Sequence, residues 1–169
     1  MIASALAVLA IALGLVLYAV RDAILFFHTP AAIAEKAVPP GTRLRLGRVL
    51  LDGAHNPSGA AALAAALGEL GVRRPTIVFG AMRGKDVAGS LRALAALEPR
   101  FVFTRVHDPG AHDPAELART WRRLGGTARV AGDPAEALRV AEGDPIVVAG
   151  SLYLVGAVRG MITGTGEEE

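Results

Sequence analysis

The sequence predicts an α/β fold in which a mostly parallel, Rossmann-like sheet is covered by helices on both faces. Short apolar runs alternate with Ala- and Leu-rich stretches of helical length along residues 49–163, which is the pattern of strand–helix–strand units. Glycine or an Asp-Pro pair stands at several of the junctions. With 52% apolar and 20% charged residues, the chain can build a packed core and is not of a disordered type.

Each element has its own signal. Strands are predicted at the short apolar runs, residues 48–51, 76–80, 101–104, 127–130 and 145–149. Helices are predicted at residues 59–70, 86–97, 113 onwards, 133–141 and 151–160. Gly71 suits the end of the first helix, while Asp113 and Asp133, each followed by proline, suit the start of the third and fourth.

The N-terminal segment has a different character, because residues 1–20 form one unbroken apolar run that ends at Arg21 and Asp22. A helix rises about 1.5 Å per residue, so the run would span roughly 30 Å, the thickness of a bilayer core. We interpret residues 1–22 as a transmembrane anchor and expect a single-pass membrane protein. A cleaved signal peptide and a buried soluble helix are the alternatives, although the run lacks the basic start of a signal peptide.

Composition excludes several classes of function. The net charge is only +2, the arginines are spread along the chain and aromatic residues make up 5%, so no nucleic-acid partner is expected. The chain has no cysteine, which removes disulfides, thiolate metal sites and a cysteine nucleophile. No metal site and no catalytic residue are predicted within this chain.

Polar side chains follow the predicted strands, where ligands of parallel sheets bind. Asp52 could hold a ribose hydroxyl or a metal-bound water, and His55 and Asn56 would offer directional hydrogen bonds beside it. Lys85, after the second strand, has a positive charge suited to phosphate. A purely structural alternative is that Asp52 and Asn56 are turn and helix-cap residues.

Three motifs carry a resemblance over residues 49–163. They are Leu-Leu-Asp-Gly-Ala-His-Asn-Pro at 50–57, Phe-Gly-Ala-Met-Arg-Gly-Lys-Asp at 79–86, and Ala-Gly-Ser-Leu-Tyr-Leu-Val-Gly-Ala-Val-Arg at 149–159. In this order and spacing they resemble the C-terminal domain of folylpolyglutamate synthase/dihydrofolate synthase, in the Mur ligase superfamily. The resemblance implies an ATP-dependent ligase that joins folate or pteroate to glutamate through an acyl phosphate, with ATP and Mg²⁺ as cofactors.

The resemblance also implies a set of cofactor-binding residues. Asp52 and His55 match positions that contact the nucleotide, and Asn56 lies in the same motif. Lys85 and Asp86 match the second motif. Ser151 and Tyr153 lie in the third motif. For both residues, packing of the last helix and contact with a ligand are equally open alternatives.

Departures from the family pattern limit what the chain can do alone. The run at residues 80–85 lacks the spacing and the Ser or Thr of a P-loop, and no other segment supplies one. Ala157 stands where the family usually has glutamate. Because phosphoryl transfer depends on cradling phosphates and metal, this chain alone is predicted to be inactive. A complementing ATPase domain is the partner that the ligase interpretation requires.

Residues 1–48 carry a second resemblance. The apolar run, Arg21-Asp22, Phe26-Phe27-His28-Thr29-Pro30 and the Pro-Pro-Gly stretch at 39–47 resemble the start of the cytochrome c maturation haem chaperone. That family implies one membrane span and a periplasmic β-barrel of the OB type. Its haem-attaching histidine lies in a part of the barrel that this chain does not match, and His28 is interpreted as a juxtamembrane residue.

Three interpretations of the whole chain follow. The first is a chimeric gene product that contains an incomplete ligase lobe at residues 49–163. The lobe is preceded by an anchor (1–22) and a juxtamembrane segment (23–48) and is followed by an acidic tail (164–169). If the fusion is artefactual, the lobe is expected in the cytoplasm. The second is a membrane-anchored haem-delivery protein that lost its barrel. The third is a genuine fusion that tethers a metabolite-binding module to a membrane.

Overall fold

A computed structural model describes residues 49–163. The strands are β1 (Val49–Leu51), β2 (Thr76–Phe79), β3 (Arg100–Thr104), β4 (Ala128–Ala131) and β5 (Ile146–Ala149). The helices are α1 (Pro57–Glu69), α2 (Val87–Ala95), α3 (Pro114–Arg123), α4 (Pro134–Val140) and α5 (Leu152–Thr163). The predicted anchor, juxtamembrane segment and tail lie outside the described residues. Within residues 49–163, none of the helices has the length and apolar character to cross a membrane.

The five strands form one sheet in the order β1-β5-β2-β3-β4. Every neighbouring pair is parallel, from Val49 opposite Ile146 at one edge to Ala131 opposite Thr104 at the other. The predicted Rossmann-like parallel sheet is therefore confirmed. The strand order places β5, the last strand in the chain, between the first two.

Helices cover both faces of the sheet because successive strand residues point to opposite sides. On one face, Ile77 and Phe79 pack with buried residues of α1, α2 and α3. On the other face, Val78 and Val148 pack with buried residues of α4 and α5. The fold is a three-layer sandwich with a core on each side of the sheet.

Local sequence sets the helix starts. Side chains of four N-cap residues accept backbone N–H groups of the first turn, namely Asn56, Asp86, Asp113 and Asp133. Three of these helices then begin with proline, which has no N–H to leave unpaired. Helix α1 starts at Pro57, ahead of its Ala- and Leu-rich part, because proline suits the first turn and Asn56 acts as the cap. Helix α5 extends to Thr163 rather than 160 because Ile162 still packs into the core.

An aromatic cluster fills the core beneath α3. The rings of Phe101 and Phe103 are stacked with centroids 5.1 Å apart, and Phe79 meets both edge-on. The ring of Trp121 lies 4.8 Å from that of Phe101, and its indole N–H donates to the Thr127 carbonyl at 3.1 Å. Trp121 therefore packs in the core, and its one polar group has a hydrogen-bond partner.

Candidate functional site

The strand order gathers the three sequence motifs at one place. They follow β1, β2 and β5, and β5 lies between the other two strands. The chain leaves β1 and β2 towards helices on one face, whereas it leaves β5 towards α5 on the other face. A crevice at the carboxyl ends of the strands results, of the kind in which open α/β sheets bind ligands.

The backbone after β5 closes the floor of this crevice. The N–H of Gly150 donates to the Ala54 carbonyl at 2.7 Å, and the N–H of Gly80 donates to the Ala149 carbonyl at 3.3 Å. Gly150 has a φ of +99°, and a Cβ placed on it would lie 2.4 Å from the Gly80 carbonyl oxygen. Only glycine can adopt this positive φ and also fit beside the Gly80 carbonyl. Gly150 therefore allows the loops after β1, β2 and β5 to lie in contact.

Asp52 is half-buried directly after β1. Its Oδ1 accepts the N–H of Ala54 at 2.7 Å, which stabilises the turn. Burial raises the pKa of the Asp52 carboxyl above its ordinary value of 3.8, and the bond from Ala54 partly opposes that shift. The carboxylate thus fulfils the predicted turn role while its second oxygen has no bond to the described residues.

His55 is held in one orientation by its own loop. Its Nδ1 lies 2.9 Å from the Gly53 carbonyl oxygen, and because a carbonyl can only accept, Nδ1 must carry a proton. In the neutral ring Nε2 is then a hydrogen-bond acceptor. His55 can therefore receive a hydrogen bond from a hydroxyl or, when protonated, donate to an anion.

Asn56 and Asp86 both act as helix caps, as the structural alternative for Asn56 predicted. The Asn56 Oδ1 accepts the N–H of Gly59 at 2.8 Å, and the Asp86 Oδ1 accepts the N–H of Gly89 at 2.8 Å. A Cβ on Gly89 would lie 2.8 Å from the Pro57 ring, so the starts of α1 and α2 are in close contact. The first and second motifs are brought together at this point.

Lys85 stands on a loop that neighbouring backbone holds in place. The N–H of Arg83 donates to the Gly110 carbonyl at 2.8 Å, and the N–H of His112 donates to the Ala81 carbonyl at 2.9 Å. The Lys85 side chain is exposed and makes no hydrogen bond or ion pair within residues 49–163. Its ammonium is available to an anion at the crevice.

Ser151 is almost fully buried, with 2% of its surface exposed. Its Oγ accepts the N–H of Tyr153 at 3.2 Å at the start of α5. The structure thus shows the packing role that the sequence left open, and contact between Ser151 and a ligand stays a prediction.

Two large side chains at the start of α5 are exposed; the sequence left ligand contact open for Tyr153, whereas Leu152 was not among the predicted binding residues. Leu152 is 64% exposed and Tyr153 63% exposed, although both are large. Leu152 lies against Gly53, whose missing side chain leaves it room. Helical periodicity could have identified Leu152 as an exposed residue. Leu154, Val158 and Ile162 define the buried face of α5, and Leu152 lies on the opposite side.

The site residues fit a nucleotide better than a bound metal. Asp52, His55 and Lys85 supply an acceptor, a directional ring nitrogen and a positive charge. Among residues 49–163, however, no group of three or more His, Cys, Asp or Glu side chains is placed to hold a metal ion. The described residues therefore do not by themselves fit the Mg²⁺ that the ligase resemblance implies.

The fold and its crevice define a Rossmann-like domain with polar groups at the carboxyl edge of the sheet. The family described as "Mur ligase, glutamate ligase domain" matches residues 41–152. The match begins eight residues ahead of β1.

Solved folylpolyglutamate synthases share this fold. The enzyme of Mycobacterium tuberculosis, complexed with ADP and AMPPCP, aligns with a TM-score of 0.62 and 30% identity over 80% of this chain and 32% of its own. The enzyme of Thermotoga maritima aligns with a TM-score of 0.64 and 34% identity over 71% of this chain and 28% of its own. The chain thus spans about a third of the length of these ligases.

Curated relatives point to a second family. The cytochrome c-type biogenesis protein CcmE of Bradyrhizobium is 34% identical over 131 residues, which cover 73% of this chain and 76% of that protein. CcmE of Methylorubrum populi is 55% identical over 53 residues, which cover 31% of each chain. The chain therefore belongs to the Mur ligase glutamate ligase domain family and, by its curated relatives, also to the CcmE family; residues 49–163 have the fold of the ligase lobe.

The close approach at Gly150 leads to a stability prediction. Gly125 also has a positive φ, +89°, but a Cβ there would meet nothing within 4 Å. We expect Gly125→Ala to lower the free energy of unfolding by about 1–2 kcal/mol through backbone strain alone. Gly150→Ala should cost about 1–3 kcal/mol more, because its methyl group must displace the Gly80 carbonyl.

Urea unfolding of the full chain, followed by fluorescence of the single tryptophan, Trp121, measures both variants. Equal losses for Gly150→Ala and Gly125→Ala would show that the loops after β5 and β2 are not in contact.

The raised pKa of Asp52 predicts a pH dependence. The folded state binds the proton more tightly than the unfolded state, so this contribution to stability is fully present below pH 3.8 and is lost as pH rises through the higher folded-state pKa. Asp52→Asn keeps an oxygen for the Ala54 N–H but cannot titrate. We therefore expect the unfolding free energy of the wild type to fall relative to Asp52→Asn as pH rises above 3.8, and then to level off.

Urea unfolding of both proteins over a series of pH values provides the comparison. A difference between them that stays constant across the acidic range would show that burial does not perturb this carboxyl.

Proposed function

We propose that residues 49–163 are the nucleotide-contacting lobe of an ATP-dependent folate–glutamate ligase. One observation carries the proposal: the strand order brings the three motifs to a single crevice at the carboxyl edge of the sheet. Two folylpolyglutamate synthases of 30% and 34% identity share the fold, and one of them is complexed with ADP and AMPPCP.

Each site residue has a role in this proposal. Asp52 accepts hydrogen bonds from ribose hydroxyls through the oxygen that Ala54 leaves free. His55, fixed by Gly53, directs its Nε2 towards the same ligand. Lys85 places a positive charge near the phosphates, which it can approach because its side chain is exposed and unpaired within the described lobe.

Asn56, Asp86 and Ser151 contribute by position. Asn56 and Asp86 cap α1 and α2, and the buried Ser151 hydroxyl accepts a backbone N–H at the start of α5. These bonds fix the starts of the three helices around the crevice. The lobe would thus bind and orient the nucleotide and shield it from water.

The proposed lobe needs a partner, because it covers about a third of the solved ligases and its sequence has no P-loop. ATP, when bound, supplies the phosphoryl group that activates the substrate carboxylate for attack by the amino group of glutamate. The lobe itself supplies no phosphate cradle and no metal site among its described residues. We propose that it acts only when an ATPase domain completes the site.

A complementation assay tests this function. The full chain is mixed with the Thermotoga maritima folylpolyglutamate synthase from which the similar lobe has been removed. We expect no addition of glutamate to folate by either protein alone and measurable ATP-dependent addition by the mixture. His55→Gln and Lys85→Gln should each lower the restored rate about tenfold or more, because each removes one hydrogen bond to a charged or polar group of the nucleotide.

Arg92→Gln is the matched control, since Arg92 is exposed on α2 and unpaired within residues 49–163. The control should keep the wild-type rate. Turnover by the chain alone, or a mixture insensitive to His55→Gln and Lys85→Gln, contradicts the proposal.

A second proposal concerns the N-terminal residues and rests on the CcmE relatives. We propose that residues 1–20 anchor the chain in a membrane in the manner of that family, and that residues 23–48 form its juxtamembrane segment. Supporting this are the uninterrupted apolar run and the 55% identity to a CcmE protein over 53 residues, a length close to that of residues 1–48. If the anchor is oriented so that residues 49–163 lie in the periplasm, ATP would be absent there and the lobe would bind another metabolite.

Membrane fractionation tests the anchor. We expect the full chain to stay with the membrane pellet after extraction with alkaline carbonate, because about 20 apolar residues bury a large hydrocarbon surface. A variant without residues 2–20 should move to the supernatant and keep the fluorescence of folded Trp121. A full chain released by carbonate would refute the anchor, and the buried-helix alternative would then be preferred.

A further inference from the structure

A pocket lies at the edge of the sheet opposite the crevice. It has a volume of about 270 Å³ and is lined by residues from the starts of β2, β3 and β4 and from the chain after α4. The amino ends of the parallel strands meet here, so the pocket is remote from the motifs that the proposed function uses. Neither the family motifs nor the predicted site residues include any residue of its lining.

One wall of the pocket is fixed by Arg129. Its Nη1 donates to the Val140 carbonyl at 2.8 Å and to the Glu142 carboxylate at 3.2 Å. The Thr76 hydroxyl donates to the Glu142 carbonyl, which holds the same loop from the other side. Because both bonds of Arg129 use one nitrogen, the remaining N–H groups of its guanidinium have no partner among the described residues.

A second guanidinium lines the pocket without a partner. The side chain of Arg100, the first residue of β3, makes no hydrogen bond or ion pair within residues 49–163. Its Nη2 lies 3.7 Å from the position that a Cβ on Gly143 would occupy, and the Thr76 hydroxyl lies 3.5 Å from it, so Arg100 is next to the loop that Arg129 fixes. The lining thus contains two guanidinium groups and one carboxylate, that of Glu142, and carries a net positive charge.

We propose that this pocket binds a carboxylate. A planar guanidinium presents two parallel N–H donors that match the two oxygens of a carboxylate, and all the donors of the Arg100 guanidinium are unpaired within the described lobe. The apolar side chains of Val102 and Val140 line the same pocket, so a carboxylate on a short hydrocarbon stem fits its chemistry. Arg129 adds a second charge, and the apolar groups limit the ligand to a small acid.

The carboxylate has two sources. One is a free small acid. The other is the chain itself, since α5 begins at the crevice after β5, packs back along the sheet and ends at Thr163. The sequence continues with six residues that end in Glu167, Glu168 and Glu169, and six residues reach about 20 Å when extended. The same chemistry would recognise both sources, and a single experiment separates them.

Isothermal titration with malonate at constant ionic strength is the test. It is performed on the wild type and on a variant in which Glu167, Glu168 and Glu169 are all replaced by Gln, and each of these two proteins is also tested with Arg100→Gln and with the control Arg92→Gln. We expect malonate to bind either the wild type, which indicates a free acid, or only the triple variant, which indicates that the acidic end already occupies the pocket. In the form that binds, Arg100→Gln should weaken binding about tenfold or more and Arg92→Gln should not.

Two results would overturn the proposal: no heat of binding in any form, or binding that Arg100→Gln and Arg92→Gln reduce equally. Arg100 is exposed, so its replacement by Gln should leave the urea unfolding curve unchanged and keep the comparison valid. The proposal does not depend on the ligase assignment, because no residue of the pocket enters the complementation assay.

Discussion

The contact between the backbones that follow β1, β2 and β5 is the constraint on which the crevice depends. Gly150 bonds to Ala54 and lies so close to the Gly80 carbonyl that no side chain fits between them. This contact sets how near the first motif can be to the third. It also fixes where α5 begins, and therefore where Leu152 and Tyr153 project. A change at Gly150 would alter the crevice without touching any proposed ligand-binding side chain.

Most of the residues proposed to bind the nucleotide also have a structural role in the lobe. Asn56 and Asp86 cap helices and Asp52 closes a turn, and these same residues are among those proposed to surround the nucleotide. The structural roles hold these groups still, and pre-placed groups bind a ligand at lower entropic cost. Lys85 differs, since its side chain has no hydrogen bond or ion pair within the described lobe and so reports more directly on ligand binding.

The elements were predictable from the sequence because their signals are local. Apolar runs gave the strands, and the Asp-Pro pairs at 113 and 133 gave two helix starts. The strand order was not predictable, since the insertion of β5 between β1 and β2 depends on pairing between residues about a hundred positions apart, such as Leu51 and Val148. For the same reason, the motifs identified Ser151 but did not indicate that it is buried. No local sequence pattern indicated the pocket beside Arg100.

Hydrogen exchange on the full chain, bound to the shortened Thermotoga maritima ligase and ADP, tests most directly whether the carboxyl edge is the nucleotide-contacting surface. We expect addition of ADP to slow exchange in residues 52–59, 80–89 and 150–155, which follow β1, β2 and β5, and to leave β4 and α3 unchanged. Slowed exchange confined to other elements, or no change while the partner binds ADP, would contradict a nucleotide-contacting role for this lobe.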